Sequence, residues 1–325
     1  MSRHLLRTLA TCCLTAVYAC GGGAPPPPPP AAQPTGAAGA RAPGTAALPV
    51  RVVNTNGTAF HYVDFGSGIP VVFVHGSLGT LESWRAQLDP FARQFRVLAY
   101  SRRYHPPNPQ QTDGRPYTLA RHAEDLAAFI ERLGLDRPHI VGSSYGAYVA
   151  LELALRRPEL ARSLVLGEPP ILPWLGRTDV GDSLGRAFDA AALAPARRAF
   201  ARGDSVNGLR RFVDGVNGTP GSFDQLSAEQ RAALLRLAFE MRLELRADPA
   251  AYMPALACRD MARIRSPVLL VVGERSLRLF HVITEELERC LATEQLVSVA
   301  GASHAMHAVN PAAYNAAVLA FLTTH

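Results

Sequence analysis

Short apolar runs alternate with segments of helical periodicity along this chain, and that rhythm restricts it to a mostly parallel sheet covered by helices on both faces. Residues 71–74, 96–100, 139–141, 163–166, 267–272 and 295–299 are the apolar runs, of the kind that lie buried inside a sheet. Residues 51–53 and 59–65 form an opening hairpin around Asn56-Gly57, a strong turn dipeptide. Helical periodicity occupies 119–133, 145–157, 279–291 and 311–322. The expected fold is therefore α/β, with about eight strands. The rhythm fails between about 172 and 264, an Arg-rich stretch without a convincing strand in which 187–201 and 227–246 have amphipathic helical character. It reads as a helical cap inserted between two strands of a domain spanning 50–325.

The N-terminal part obeys different rules. Arg3 and Arg7 precede an apolar run from Leu9 to Ala19, with Val17 and Ala19 at cleavage-compatible positions. Residues 1–20 are thus expected to be a signal peptide, too short to span a bilayer stably. Cleavage before Cys20 would expose an N-terminal cysteine. This resembles the bacterial lipoprotein signal and implies membrane attachment through a lipidated Cys20, although Tyr18 stands where that signal usually has a small residue. An ordinary secretory peptide is the alternative, and either one predicts export. Residues 21–49, with six consecutive prolines at Pro25 to Pro30, cannot bury a core and are expected to be an extended tether. Cys258 and Cys290 are the cysteines left in the domain, and an oxidising compartment would permit either a bridge or two buried thiols.

With 325 residues and 48% hydrophobic content the chain can bury a full core. Its net charge of +6 is spread among acidic residues without a cluster long enough to track phosphates, so no nucleic-acid partner is expected. Every basic residue is Arg, which removes Schiff-base, nucleophilic and P-loop lysines from the available chemistries.

The chemistry centres on Gly142-Ser143-Ser144-Tyr145-Gly146, between an apolar run and a helical segment. A nucleophile on a sharp strand-to-helix turn needs small residues two positions before and after it. Ser144 meets that condition, whereas Ser143 would be flanked by Val141 and Tyr145. On this turn and two further segments, residues from about 50 to 323 resemble the α/β-hydrolase superfamily, in particular its capped, esterase-like serine members. The segment Val74-His75-Gly76-Ser77 lies where that family places its oxyanion loop, and the resemblance implies that the N–H groups of Ser77 and Tyr145 hold negative charge. His75 is expected to brace this loop. Gly301-Ala302-Ser303-His304 lies where the family carries its base, so His304 is assigned that role ahead of His307.

The acid departs from the commonest family pattern, because Gly273-Glu274-Arg275-Ser276 has a serine at the usual aspartate position. Glu168, held in the rigid turn Glu168-Pro169-Pro170 after the following strand, is preferred, with Glu274 as the alternative. The expected activity is acyl transfer from an ester-like small molecule (carboxylic ester, lactone or thioester) to water, without metal or organic cofactor. A perhydrolase or acyltransferase using the same serine, and a ligand-binding or surface-anchored protein without turnover, are the competing readings. Arg103 and His105 are expected to brace loops. The cap aromatics Trp174, Phe188, Phe212 and Phe239, with Met241, are expected to be packing residues.

Overall fold

A computed structural model describes residues 47–292 and 294–325. The expected signal segment 1–20, Cys20 and residues 21–46 of the expected tether lie outside the described residues. Eight strands form one sheet: β1 (Arg51–Thr55), β2 (Thr58–Gly66), β3 (Pro70–Val74), β4 (Arg96–Tyr100), β5 (His139–Ser143), β6 (Ser163–Gly167), β7 (Val268–Gly273) and β8 (Glu294–Val299). Their order is β1-β2-β4-β3-β5-β6-β7-β8. The first two are antiparallel additions at one edge, and β4 to β8 with β3 run parallel. Strands β5, β6 and β7 are buried along their whole length, which is why their sequences are continuously apolar rather than alternating. Edge strand β1 is mostly exposed. The β1–β2 turn uses Asn56 and Gly57, both at positive φ (46° and 72°), as a hairpin of matching twist requires.

The helices are α1 (Arg85–Ala92), α2 (Leu119–Arg132), α3 (Tyr145–Arg156), α4 (Asp179–Phe188), α5 (Ala194–Ala201), α6 (Ser205–Asn217), α7 (Ala228–Leu235), α8 (Ala238–Arg246), α9 (Pro249–Tyr252), α10 (Cys258–Met261), α11 (Arg278–Cys290), α12 (Met306–Val309) and α13 (Pro311–Thr323). On one face of the sheet α2, α3 and α11 pack through residues such as Phe129, Tyr148 and Ile283. On the other, α1 and α13 cover Phe73, Trp84, Phe91 and Tyr314. Phe73 lies 4.8 Å from Trp84 and 5.2 Å from Phe91 between ring centroids. Side chains of this size contribute about 1.5–3 kcal/mol each when fully buried.

Helices α4 to α10 all fall between β6 and β7. The segment expected as one helix over 227–246 is broken at Arg236–Leu237 into α7 and α8, because Leu237 turns inward on a tight bond from its N–H to the Leu234 carbonyl, 2.9 Å. The break lets α8 bury Met241 and Leu245 while α7 buries nothing. The expected helix over 187–201 instead continues from α4 through a π turn at Asp189–Leu193. Pro195 accounts for that turn: it cannot donate to residue 191 and its ring crowds that carbonyl, so the ladder widens. Helix α6 was not expected, although Asp204 caps its first turn and Gly218 ends it in the left-handed conformation. Cys258 and Cys290 are bridged, tying α10 to the end of α11.

Strand order reverses between β3 and β5, since the chain steps from β3 outward to β4 and returns on the other side of β3. Such a reversal leaves a crevice beyond the carboxyl ends of those two strands, and ligands of open α/β sheets occupy it. The segments that follow β3 and β5 begin at His75 and Ser144.

Candidate active site

Ser144 sits between β5 and α3 with φ 53° and ψ −125°, a conformation that costs a non-glycine residue about 1–3 kcal/mol and persists only where its surroundings enforce it. The enforcement is visible at three glycines. A Cβ on Gly142 would lie 2.5 Å from the Ala147 Cα, one on Gly146 2.1 Å from the Val74 carbonyl oxygen, and one on Gly76 2.8 Å from the Ser144 Cβ. Helix α3 therefore reaches the end of β3 closely at Gly146. The Ser144 N–H donates to the Gly167 carbonyl at 2.7 Å, which fastens the turn to the end of β6.

His304 lies in the loop after β8. Its Nε2 is 2.9 Å from the Ser144 Oγ, and its Nδ1 is 2.5 Å from Glu168 Oε2. The Nδ1–H thus donates to the carboxylate, leaving Nε2 to accept from the serine. Glu168 is itself at positive φ (47°), its side chain is fully buried, and its Oε1 accepts the Gly273 N–H at 2.7 Å. Phe280, from α11, stacks on the imidazole with centroids 4.1 Å apart. The ring is consequently held by an acceptor at its edge and an aromatic on its face.

The alternative carboxylate, Glu274, is exposed and accepts the Gly301 N–H at 2.6 Å, bracing the loop that precedes His304. His307 is buried against Trp84, 4.6 Å between centroids, and burial lowers its pKa to about 4. It lines the cavity, but its Nδ1 has no partner among the described residues.

Beside Ser144, the segment after β3 is held from below. The His75 Nδ1–H donates to the Gly76 carbonyl at 2.8 Å, and its Nε2 accepts the Arg102 N–H at 2.8 Å. Burial, with Arg102 and His105 adding to it, keeps His75 uncharged. The Arg102 guanidinium donates to the His75 carbonyl at 2.9 Å and to the Gly76 carbonyl at 3.2 Å. Because a trans peptide sets its N–H opposite its C=O, fixing the Gly76 oxygen also fixes the direction of the Ser77 N–H. Tyr145 is the first residue of α3, so its N–H is one of the donors that a helix cannot satisfy internally. The Tyr145 side chain points away into the core, stacked on Tyr252 at 4.7 Å. Arg103 is ion-paired with Asp125 at 2.7 Å and donates to the Asn56 carbonyl. His105 is buried, with Nδ1 2.9 Å from the Gly79 carbonyl oxygen. Neither borders the cavity.

Ser144 and His304 open into a cavity of about 720 Å³ roofed by the insertion. Its walls are largely apolar, with Leu78, Leu172, Leu193, Val216 and Met253 among them. Phe188 and Phe212 also line it, which corrects the expectation that the insertion's aromatics only pack. Trp174 and Met241 are buried away from it. Sequence reasoning missed Phe280, which reads as one more apolar position on an amphipathic helix. It also missed two buried carboxyls, Glu240 and Glu244, four residues apart on α8. Their signal was two acids on the same face as the apolar Met241 and Leu245.

Residues 69–311 match the α/β-hydrolase fold family. The chain belongs to that family. This α/β-hydrolase is 26% identical over 253 residues to the putative carbamate hydrolase RutD of Enterobacter cloacae, a match covering 78% of the chain and 91% of that protein. It is 33% identical over 125 residues to the dihydrolipoyllysine-residue acetyltransferase component of the acetoin cleaving system of Cupriavidus necator, where the match covers 38% of the chain and only 33% of that longer protein. Among solved structures, naproxen esterase (carboxylesterase NP) from Bacillus subtilis aligns with a TM-score of 0.60 over 85% of this chain and 93% of its own, at 18% identity, a likeness of fold.

Proposed function

We propose that the protein is a serine hydrolase that cleaves an ester-like small molecule through an acyl-enzyme on Ser144. The observation that carries this reading is the continuous line from Ser144 Oγ through His304 to Glu168, at 2.9 and 2.5 Å, on a turn whose serine is held at positive φ. In the proposed mechanism His304 Nε2 takes the serine proton as Oγ attacks the carbonyl carbon. Glu168 keeps the imidazole in the Nδ1–H tautomer and stabilises the imidazolium. The oxyanion is held by the N–H groups of Ser77 and Tyr145. His304 then returns the proton to the leaving alcohol, and water, deprotonated by the same imidazole, releases the acid. The cavity wall favours an uncharged, apolar acyl or alcohol group, and its volume suits a drug-sized molecule. An ester is the first substrate to test, ahead of a lactone, thioester or carbamate.

The test is turnover of p-nitrophenyl esters of graded acyl length. Wild-type activity lost in Ser144→Ala is expected, and activity retained in that variant would refute the assignment. Folded wild-type protein that turns over no ester but binds apolar ligands would favour the binding-protein reading.

Export with lipid attachment at Cys20 is the companion proposal. It is supported by the apolar N-terminal run and by a Cys258–Cys290 bridge, which suits an oxidising compartment. Metabolic labelling with a fatty acid, lost in Cys20→Ala, tests it.

A further inference from the structure

Beside the Ser77 loop, on α8 of the insertion, lie two carboxyls that the mechanism does not use. Glu240 and Glu244 are almost wholly buried at 0% and 2% exposure, carried on α8 of the insertion. Glu244 Oε1 accepts the Ser77 hydroxyl at 2.7 Å and also the Tyr252 hydroxyl. Glu240 Oε1 accepts the Tyr117 hydroxyl at 2.5 Å. It also lies 3.0 Å from His105 Nε2, without the alignment of a hydrogen bond, and 3.9 Å from the Arg102 guanidinium. Neither Oε2 has a hydrogen-bond partner among the described residues, and the two carboxyls are carried one helical turn apart on α8.

Charge balance decides the protonation. The groups facing the pair are Arg102, His105, Tyr117, Tyr252 and Ser77, with His75, His122 and Tyr145 just behind them. Arg102 is always charged, while burial holds His75, His105 and His122 in their neutral forms and pushes the three tyrosines up. One buried cation against two carboxyls is neutral only if a single carboxyl is ionised, and an uncompensated second charge would be several kcal/mol unfavourable. The carboxylate belongs on Glu240, next to Arg102. The proton belongs on Glu244, whose pKa is raised by burial and then by Glu240 itself. The unpartnered Glu240 carboxylate oxygen, one helical turn away, is then the acceptor open to the Glu244 acid O–H.

We propose that this shared-proton pair is a positioning device, in which neutral Glu244 clamps Ser77 from the insertion side while Arg102 and His75 hold the same loop from the sheet side. The connections close a ring, from the loop through Arg102, Glu240 and Glu244 back to Ser77. The ring links the roof of the cavity to the N–H that would hold the oxyanion. Keeping the negative charge on Glu240 also keeps it off the residue bonded to Ser77, where it would oppose a developing oxyanion. This inference rests on the serine-hydrolase reading for its catalytic consequence, though not for the clamp itself.

The test compares kcat and KM for a p-nitrophenyl ester in Glu244→Gln, Glu244→Ala, Glu240→Gln, Ser77→Ala and the Ser77→Ala/Glu244→Ala double variant. Thermal unfolding of each is measured beside them. A glutamine at 244 reproduces the neutral acid, since its carbonyl accepts from Ser77 and Tyr252 and its NH₂ donates to Glu240. It is expected to keep kcat within about threefold of wild type, while Glu244→Ala lowers kcat ~10- to 100-fold with KM nearly unchanged. Glu240→Gln shifts the charge onto Glu244 and is expected to lower kcat by at least about tenfold. Ser77→Ala, a small truncation that leaves the fold intact, should lose most of what Glu244→Ala loses, and the double variant should lose no more than the worse single one. Wild-type kcat in Glu244→Ala, or in Ser77→Ala if the former does not fold, would overturn the proposal. So would independent effects in the double variant or a glutamine as damaging as the alanine. Turnover that survives Ser144→Ala would instead sink the serine reading, and the Ser77–Glu244 coupling would still be measurable in the unfolding midpoints.

Discussion

Two carboxylates stand at the ends of neighbouring parallel strands, Glu168 one residue past β6 and Glu274 one residue past β7, and the fold uses them in opposite ways. Glu168 is fully buried, with one oxygen on His304 and the other on the Gly273 N–H. Glu274 faces solvent and accepts the Gly301 N–H. The difference lies in the backbone. Glu168 has φ 47°, which swings its side chain under the loop after β8, and the two prolines that follow restrict any relaxation. Glu274 lacks such a bend, and the position three past Gly273 carries Ser276, whose hydroxyl reaches no described partner. Proximity to a strand end makes a carboxylate a candidate, and the local dihedral decides where it points.

The sharpest way to break this comparison is to neutralise each acid in turn. Glu168→Gln removes the acceptor that orients His304 and should lower kcat about 10³- to 10⁴-fold, measured on any ester that the wild type turns over. A loss smaller than tenfold would mean that another group orients the ring.

Removing the bridge that frames the β7 side comes next in size. The Cys258→Ala/Cys290→Ala double variant should lose about 3 to 4 kcal/mol of stability, given a sequence separation of 32 residues, in denaturant titrations. Its kcat at low temperature should stay near wild type, because neither cysteine lines the cavity into which Ser144 and His304 open. Phe280→Leu withdraws the aromatic face from His304 while keeping an apolar side chain. It should lower kcat by about tenfold through a looser imidazole, with KM changed less than kcat. The smallest effect is expected of Glu274→Gln, whose exposed carboxylate contributes one loop hydrogen bond, so kcat should stay within about threefold of wild type. Equal losses in Glu168→Gln and Glu274→Gln would erase the contrast between the two strand ends.

Much of this arrangement was legible in the sequence because it rests on local rules. Buried parallel strands must be continuously apolar, Asn56-Gly57 favours one class of hairpin, and a serine on a strained turn needs glycines around it. Strands β3 to β7 and the turn at Ser144 follow from such rules, whereas β8, expected to lie buried, is the far edge of the sheet and exposes Gln295, Leu296 and Ser298. The insertion was read less well, since its helices are set by tertiary contacts that propensity does not encode. The break at Leu237 and the π turn before Pro195 illustrate this. The Glu240–Glu244 pair escaped for a related reason. Two acids on an Arg-rich helix look like a solvated face until Arg102, Tyr117 and Ser77, each distant in sequence, are brought against them.

The central claim is that Ser144 is activated by His304 under the control of Glu168. Treating the folded domain with a fluorophosphonate and mapping the adduct by peptide mass spectrometry tests it most directly, with Ser144→Ala, His304→Ala and Glu168→Gln run in parallel. A single adduct on the peptide containing Ser144, absent in the first two variants and orders of magnitude slower in the third, is the expected result. An adduct on another residue, or none on well-folded wild-type protein, would contradict it.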